Sequence, residues 1–394
     1  MRMTMQHCNH GWVTYVSPRT AHAVLSFRRL YVFFYFFVLF TFSPLNVFAA
    51  DTLQVEQPDE QKEMSWLRRT IRGFSKIDEN YVEPQHYNWS VMLQAIYSFD
   101  YFRISTGGQS ISFAPKPSVK AGPYFGWRWV FAGYTFDLRN IRFGGKKGKQ
   151  ELDFSIYAAQ LGVDIYYRRT GSDYKIRNVN IPGVDTHSLE GLPFEGLYIA
   201  TTGANLYYIF NHQRFSYPAA FAQSTCQKIS CGSWMAGVGY LRNRLDFDHD
   251  KLKEYADRYT LKDVEVDTGF TFNSVRYTDV NLSAGYAYNW VFARNWLFCS
   301  SLSLALAYKK TQGDMNTSKR KHLGLDFDNF NIDGIGRFGL VWNNTRWYAG
   351  ASAIVRVYNY HKQHFATNNI FGSINLYVGY NFGLRSAYKK KKPN

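Results

Sequence analysis

A chain of 394 residues carrying 30 Tyr, 32 Phe and 10 Trp at a mean hydropathy of only -0.34 is rich in amphipathic rings without being greasy throughout. Past residue 42 no run reaches the roughly 18 apolar residues that a spanning helix needs, which excludes a helical membrane bundle. The formal charge of +16 is spread over connecting segments and the tail run at 389–392, so it points away from nucleic acid as a partner.

The first element is a leader. Arg28 and Arg29 precede the apolar run LYVFFYFFVLFTF (30–42), and Ser43-Pro44 and Val47-Phe48-Ala49 follow, in the order n-region, h-region and small-residue cleavage site. Cleavage is expected after Ala49 or Ala50. The alternative is a short membrane anchor, but such a run spans only about 20 Å of helix. Residues 1–27 add a long polar lead. Losing 1–49 removes four Arg and no acid, leaving 42 basic against 30 acidic groups, a formal +12 suited to anionic lipid headgroups or acidic sugars. The domain plan is a leader with signal peptide (1–49), a linker with a short helix (50–87), the strand-rich region (88–385) and a basic tail (386–394). Within the linker, 51–64 is polar and acidic, and SWLRRTIRGFSKI (65–77) sets Leu67, Ile71 and Phe74 on one helical face with Arg68, Arg69, Arg72 and Lys76 around it. That amphipathic helix could lie on a leaflet surface, plug the lumen or pack as a lead-in to the first strand.

From residue 88 the dominant signal is period-2 alternation, in which every second side chain faces one side of a sheet. In 278–292 one face reads Val280, Leu282, Ala284, Tyr286, Tyr288, Trp290, Phe292 and the other Asn281, Ser283, Gly285, Ala287, Asn289. The runs 295–309 and 370–385 repeat the pattern. Strands are predicted at 88–104, 112–127, 129–140, 152–168, 173–181, 194–210, 230–247, 278–292, 295–310, 329–343, 346–360 and 368–385, with Gln160 and Asp164 interrupting the parity of the fourth. One greasy face and one small, polar face is the signature of an antiparallel up-and-down transmembrane β-barrel of about 12 strands.

Tight turns are predicted at 126–130, 168–173, 292–296 and 342–347, all after even-numbered strands, and longer loops after odd-numbered ones. Barrels of this kind place short turns in the periplasm and long loops outside. Trp127 with Trp129, Trp290 with Trp296 and Trp342 with Trp347 bracket three of the turns, which reads as an aromatic girdle at one interface, ordinary hairpin packing being the alternative. The connection 211–230 breaks the rule: a short turn is due and about twenty residues stand there. It either folds into the lumen or mouth, or is a long ordered loop. Its Cys226 and Cys231 could close a small disulfide or stay apart.

The stretch FNHQRFSYPAAFAQS (210–224), the lead-in IDENYVEPQHYNWSV (77–91) and the run GYAYNWVFARNW (285–296) are similar to an uncharacterised Gram-negative outer-membrane β-barrel family, a domain of unknown function. The resemblance implies a membrane barrel in the outer membrane. It brings no catalytic or ligand residues.

Chemistry is sparse. His187, His249, His322, His361 and His364 lie in connections, and Ser188 adjoins His187, but neighbours in an extended chain face apart and make no nucleophile–base pair. His361 and His364 lack a third ligand, and Asp326, Asp328 and Asp333 lack the Gly and closing Glu of a calcium loop, so no catalytic residue, metal ligand or cofactor is assigned. The lumen is expected to carry both signs of charge: Asp100, Lys120, Arg128, Asp137, Arg139, Asp153, Asp333, Arg337 and Arg356. These either pair and close the lumen or line a small channel, for which Lys120, Arg128, Arg337 and Arg356 are the candidate lining. The leading expectation is a narrow, porin-like channel or binding barrel for small polar or anionic solutes, or a structural membrane element, with outer-membrane lipid as surroundings. Alternatives are a lipid- or peptide-processing enzyme at the outer rim and an envelope assembly or partner-binding barrel.

Overall fold

Alternation is realised almost residue by residue in the computed structural model, which describes residues 77–127, 130–133, 136–137, 150–169, 173–260, 267, 270, 274–313, 330–362 and 365–389. The leader with Ala49 and Ala50, the linker and nearly all of the helix expected at 65–77 lie outside the described residues. In chain order the elements are β1 (Val82–Pro84), β2 (Tyr87–Thr106), β3 (Gln109–Pro115), β4 (Ser118–Trp127), β5 (Val130–Gly133), β6 (Phe136–Asp137), β7 (Gln150–Tyr157), β8 (Leu161–Arg169), β9 (Tyr174–Asn180) and β10 (Leu197–Ile209). There follow α1 (Tyr217–Phe221), β11 (Thr225–Gln227), β12 (Cys231–Phe247), α2 (His249–Thr260), β13 (Ser274–Ala293), β14 (Trp296–Gly313), β15 (Phe330–Asn343), β16 (Trp347–Lys362) and β17 (Phe365–Leu384).

Among the described residues twelve strands form one antiparallel wall, in the order β5 (with β6), β4, β2, β17, β16, β15, β14, β13, β12, β10, β8, β7. The last strand joins the first, β17 to β2, from Phe365↔Thr106 to Leu384↔Tyr87. The wall curls until opposite sides touch: Tyr166 on β8 and Tyr358 on β16, six strands apart in the sheet, meet with their hydroxyls at 2.5 Å. The two described edges, β5–β6 and β7, are consecutive in the chain.

The expected count of about twelve holds because two departures cancel. The stretch 152–168 is two strands rather than one, β7 and β8, paired antiparallel from Gln150↔Arg169 to Tyr157↔Gly162. Ala158 N–H donates to the Leu161 carbonyl across the turn between them. The turn inverts parity: Leu152, Phe154 and Ile156 face outward before it, whereas Asp164, Tyr166 and Arg168 are buried inward after it. The interruptions at Gln160 and Asp164 are this turn and its consequence. Conversely, the strand expected at 173–181 is β9, which leaves the wall and pairs with β3. The tight turn expected at 168–173 therefore belongs to the loop end, and the turn-end hairpin is the one at 158–160.

That departure starts at Lys116-Pro117, where a residue without an N–H breaks the ladder. Below the break β4 pairs with the lower part of β2, from Trp89↔Trp127 to Ser98↔Ser118. Above it β3 pairs with the top of β2 on one edge and β9 on the other. The inner face of this small sheet, with Ile104, Ile111, Phe113, Ile176 and Val179, joins Phe194, Leu245, Phe247 and Tyr358 in the largest apolar cluster. That cluster fills the loop end of the lumen.

Candidate functional site

The outer face of the wall is apolar and uncovered. Leu93, Leu282, Leu302, Leu304 and Leu376 are between 58% and 68% exposed. Leaving such side chains in water forfeits about 1.5–3 kcal/mol each, so a belt of them on the described strands calls for an apolar surrounding. At the turn end the belt finishes in rings: Trp127, Trp290, Trp296 and Trp347 are exposed and outward, with Trp342 half-buried beside them opposite Trp296. Trp89 and Trp234 complete this row and were not among the expected residues. Trp129 lies outside the described residues.

The inner face is polar and charged, and its charges are matched. Arg337 on β15 reaches across the lumen to Asp164 on β8. Arg356 on β16 and Arg168 on β8 share Asp153 on β7, at 3.6 Å and 3.7 Å. Lys309 on β14 stands between Asp333 at 2.9 Å and Asp279 at 3.4 Å. Charges removed from water hold only when paired, and removing one partner is costly. Rings fill what remains: Arg356 lies 4.7 Å over Tyr166, Arg168 4.5 Å over Phe371 and Arg337 5.2 Å over Tyr207. Tyr166 fits because Gly203 stands opposite it in register; a Cβ at Gly203 would collide with the phenol ring. A cavity of about 20 Å³, the size of one water molecule, is left beside Asp333, Arg337, Asn281 and Tyr358.

The turn-end mouth is filled by the anomalous connection. Residues 211–230 fold inward with Tyr217, Ala219 and Ala220 buried. Ser216 caps α1 by accepting from Ala219 N–H, and Pro218 suits its first turn. Tyr217 hydroxyl donates to Ser301 on β14 at 2.9 Å, Asn289 on β13 donates to the Ser216 carbonyl at 2.8 Å, and Gln223 donates to the Tyr377 hydroxyl on β17 at 2.7 Å. The segment thus bonds to separate parts of the wall, which an ordinary surface loop does not. Burial pushes the Tyr217 phenol up, keeping it a neutral donor. The plug is also tied to the chain entering the wall: β11 pairs with β1, and Asp78 N–H donates to the Gln213 carbonyl.

Cys226 and Cys231 are free thiols, so the possible disulfide is not formed. Cys226 is held in register with Glu83 on β1 with its thiol toward the Asn343 carbonyl, while Cys231 begins β12 opposite Asn289. Burial, followed by the Glu83 carboxylate, pushes the Cys226 thiol up to about 12.

Of the expected lumen lining, Arg337 and Arg356 are 2% exposed and bonded across the lumen, Lys120 is half-buried on the inner face of β4, and Arg128 lies outside the described residues. Sequence reasoning missed Asp164, Arg168, Asp279 and Lys309 as members of this network. Lys309 stands on the inward parity of 295–309 and Asp279, two residues before Asn281, on that of 278–292, but neither was counted among the lumen charges; Asp164 and Arg168 were hidden by the turn at 158–160. At the loop end His187 is exposed 3.9 Å from Glu190, and Ser188 donates to the Tyr259 carbonyl instead of to an imidazole. His322, His364, Asp326 and Asp328 lie outside the described residues.

The model of DUF4421, described as a domain of unknown function, matches residues 76–382. No curated protein matches the chain. Among solved structures the chain is similar to the translocator domain of the autotransporter NalP from Neisseria meningitidis (11% identity, covering 75% of this chain and 90% of that one, TM-score 0.30). It is also similar to the P. putida toluene transporter TodX (8%, 76% and 91%, TM-score 0.24) and the outer membrane protein OprG from Pseudomonas aeruginosa (9%, 76% and 98%, TM-score 0.23). Scores this low transfer nothing to this chain.

Proposed function

We propose that this chain, which belongs to the DUF4421 family, spans the outer membrane as a filled barrel and acts by binding small polar or anionic solutes at its loop end instead of conducting them. The uncovered apolar belt with its Trp row supports a bilayer around the wall, turn end in the periplasm, loops outside. One observation carries the choice of binding over conduction: among the described residues, charges paired across the lumen, stacked rings and the inward-folded 211–230 segment occupy it, and the cavity beside Asp333 and Arg337 holds about 20 Å³.

The test is planar-bilayer recording with refolded protein whose gel migration is heat-modifiable. The reading expects membranes that stay silent over repeated insertions. Stable, ion-selective steps from the same preparation would replace it with a pore.

A further inference from the structure

On the outer face at the loop end, the β2–β3 hairpin, the end of β9 and the β16–β17 hairpin enclose an open cleft of about 340 Å³. Arg103, Ser105, Ser110, Asn180 and His361 line it, together with the Gly107-Gly108 turn. The guanidinium of Arg103 spends one N–H on the Ser110 hydroxyl, at 2.9 Å, and among the described residues no carboxylate pairs with it. Thr106, 3% exposed, also borders the cleft, with its side chain on the inner parity of Ile104. Gly107 and Gly108 hold left-handed backbone, at φ 31° and 107°, which lets the hairpin reverse without a side chain over the opening. Among the described residues no acidic residue is in the lining. The Asp267 carboxylate stands against Gly107 at the edge of the cleft, and its N–H donates to the Gln109 side chain.

Height on the wall says what such a cleft meets. Trp89 and Arg103 share the outer face of β2, fourteen residues apart. At a rise of about 3.3 Å per residue and a strand tilt of about 40°, Arg103 sits about 35 Å above the Trp row, beyond an apolar band about 25 Å tall. An outward guanidinium at that level faces headgroups. Its fork, with hydroxyl and amide donors converging from three strands, suits a tetrahedral anion that accepts from several directions. The cleft has room for a phosphate together with a group attached to it.

We propose that this cleft is a phosphate site anchored by Arg103, with Ser105, Ser110 and Asn180 as further donors. It rests on the reading above that the loop end stands at the outer headgroup level. The phosphate could arrive on a lipid or free in solution, and the experiment separates the two.

Full-length protein folded in dodecyl maltoside is titrated with phosphatidic acid in mixed micelles and, separately, with inorganic phosphate, and binding is read from 31P line broadening. Arg103→Gln should weaken binding at least tenfold, Arg103→Lys should fall between, and Arg276→Gln, exposed on the outer face of β13, should match the native protein. Tighter binding of phosphatidic acid than of inorganic phosphate names a headgroup; equal binding names free phosphate. Either supports the site when it depends on Arg103. Native and Arg103→Gln proteins that both show heat-modifiable migration and bind the two probes equally, or not at all, would overturn the site while leaving the membrane reading intact. Failure of the membrane reading shows separately, as a protein that floats with no vesicle.

Discussion

Asp164 is the only carboxylate that Arg337 touches among the described residues, and both side chains are nearly inaccessible. Asp164→Asn should therefore destabilise the fold by about 3–5 kcal/mol, because it leaves a guanidinium enclosed without its counter-charge. The double change Asp164→Asn with Arg337→Met should recover most of that loss, measured as urea midpoints in vesicles; a single change that costs nothing would mean the pair is solvated. Cys226 gives a pH-dependent prediction. Its thiol is raised to about 12 in the folded chain against about 8.5 for a free cysteine, so the folded state favours the protonated form. The stabilisation is complete below about pH 8.5 and declines as pH climbs towards 12. At pH 8 the folded protein should leave Cys226 unmodified by a disulfide reagent for hours and expose it on unfolding; rapid reaction without unfolding would contradict the packing described. At this scale the sequence was legible where parity ran unbroken. Lys120, Arg337 and Arg356 were placed on the inner face, but the partner of Arg337 was not, because a hairpin at 158–160 contains no Gly, Pro or Asn to announce it and inverts every side chain after it.

The inward-folded connection is the element that most changes the character of the wall. Length against parity identified 211–230 as anomalous, and left open whether it enters the lumen. What decides is chemistry spread over distant strands: Ser301, Asn289 and Tyr377 each bond to it, and no local pattern reveals which wall residues will meet a loop. Its seat is measurable. A Cβ on Gly339 would stand 3.6 Å from the Ala220 Cβ, within the separation a disulfide requires. The pair Ala220→Cys with Gly339→Cys, built on a background in which Cys226, Cys231 and Cys299 are Ser, should cross-link on mild oxidation, seen as altered migration of the boiled, unreduced protein. Thiols that remain fully titratable would place the segment outside the mouth. The β9 departure was illegible for a different reason. Its buried Tyr174, Ile176 and Val179 are spaced by two and then three across a bulge, and such a pattern does not specify which neighbour it pairs with.

For the whole molecule, fold class and strand number followed from composition and period, since few architectures can leave Leu282, Leu302 and Leu304 on one face and bury Asp279 and Lys309 on the other. Function was less legible because the lumen is closed by contacts across it, between residues far apart in sequence such as Arg337 and Asp164 or Tyr166 and Tyr358. The account stands on the outer face being a lipid face. Tryptophan quenching by brominated phospholipids tests this directly, since Trp89, Trp127, Trp234, Trp290, Trp296 and Trp347 all face outward at one level. Folded protein in vesicles should be quenched strongly by bromines near the headgroup end of the chain, less by deep bromines, and weakly by aqueous iodide. Emission indifferent to bromine at either depth and fully quenched by iodide would contradict it.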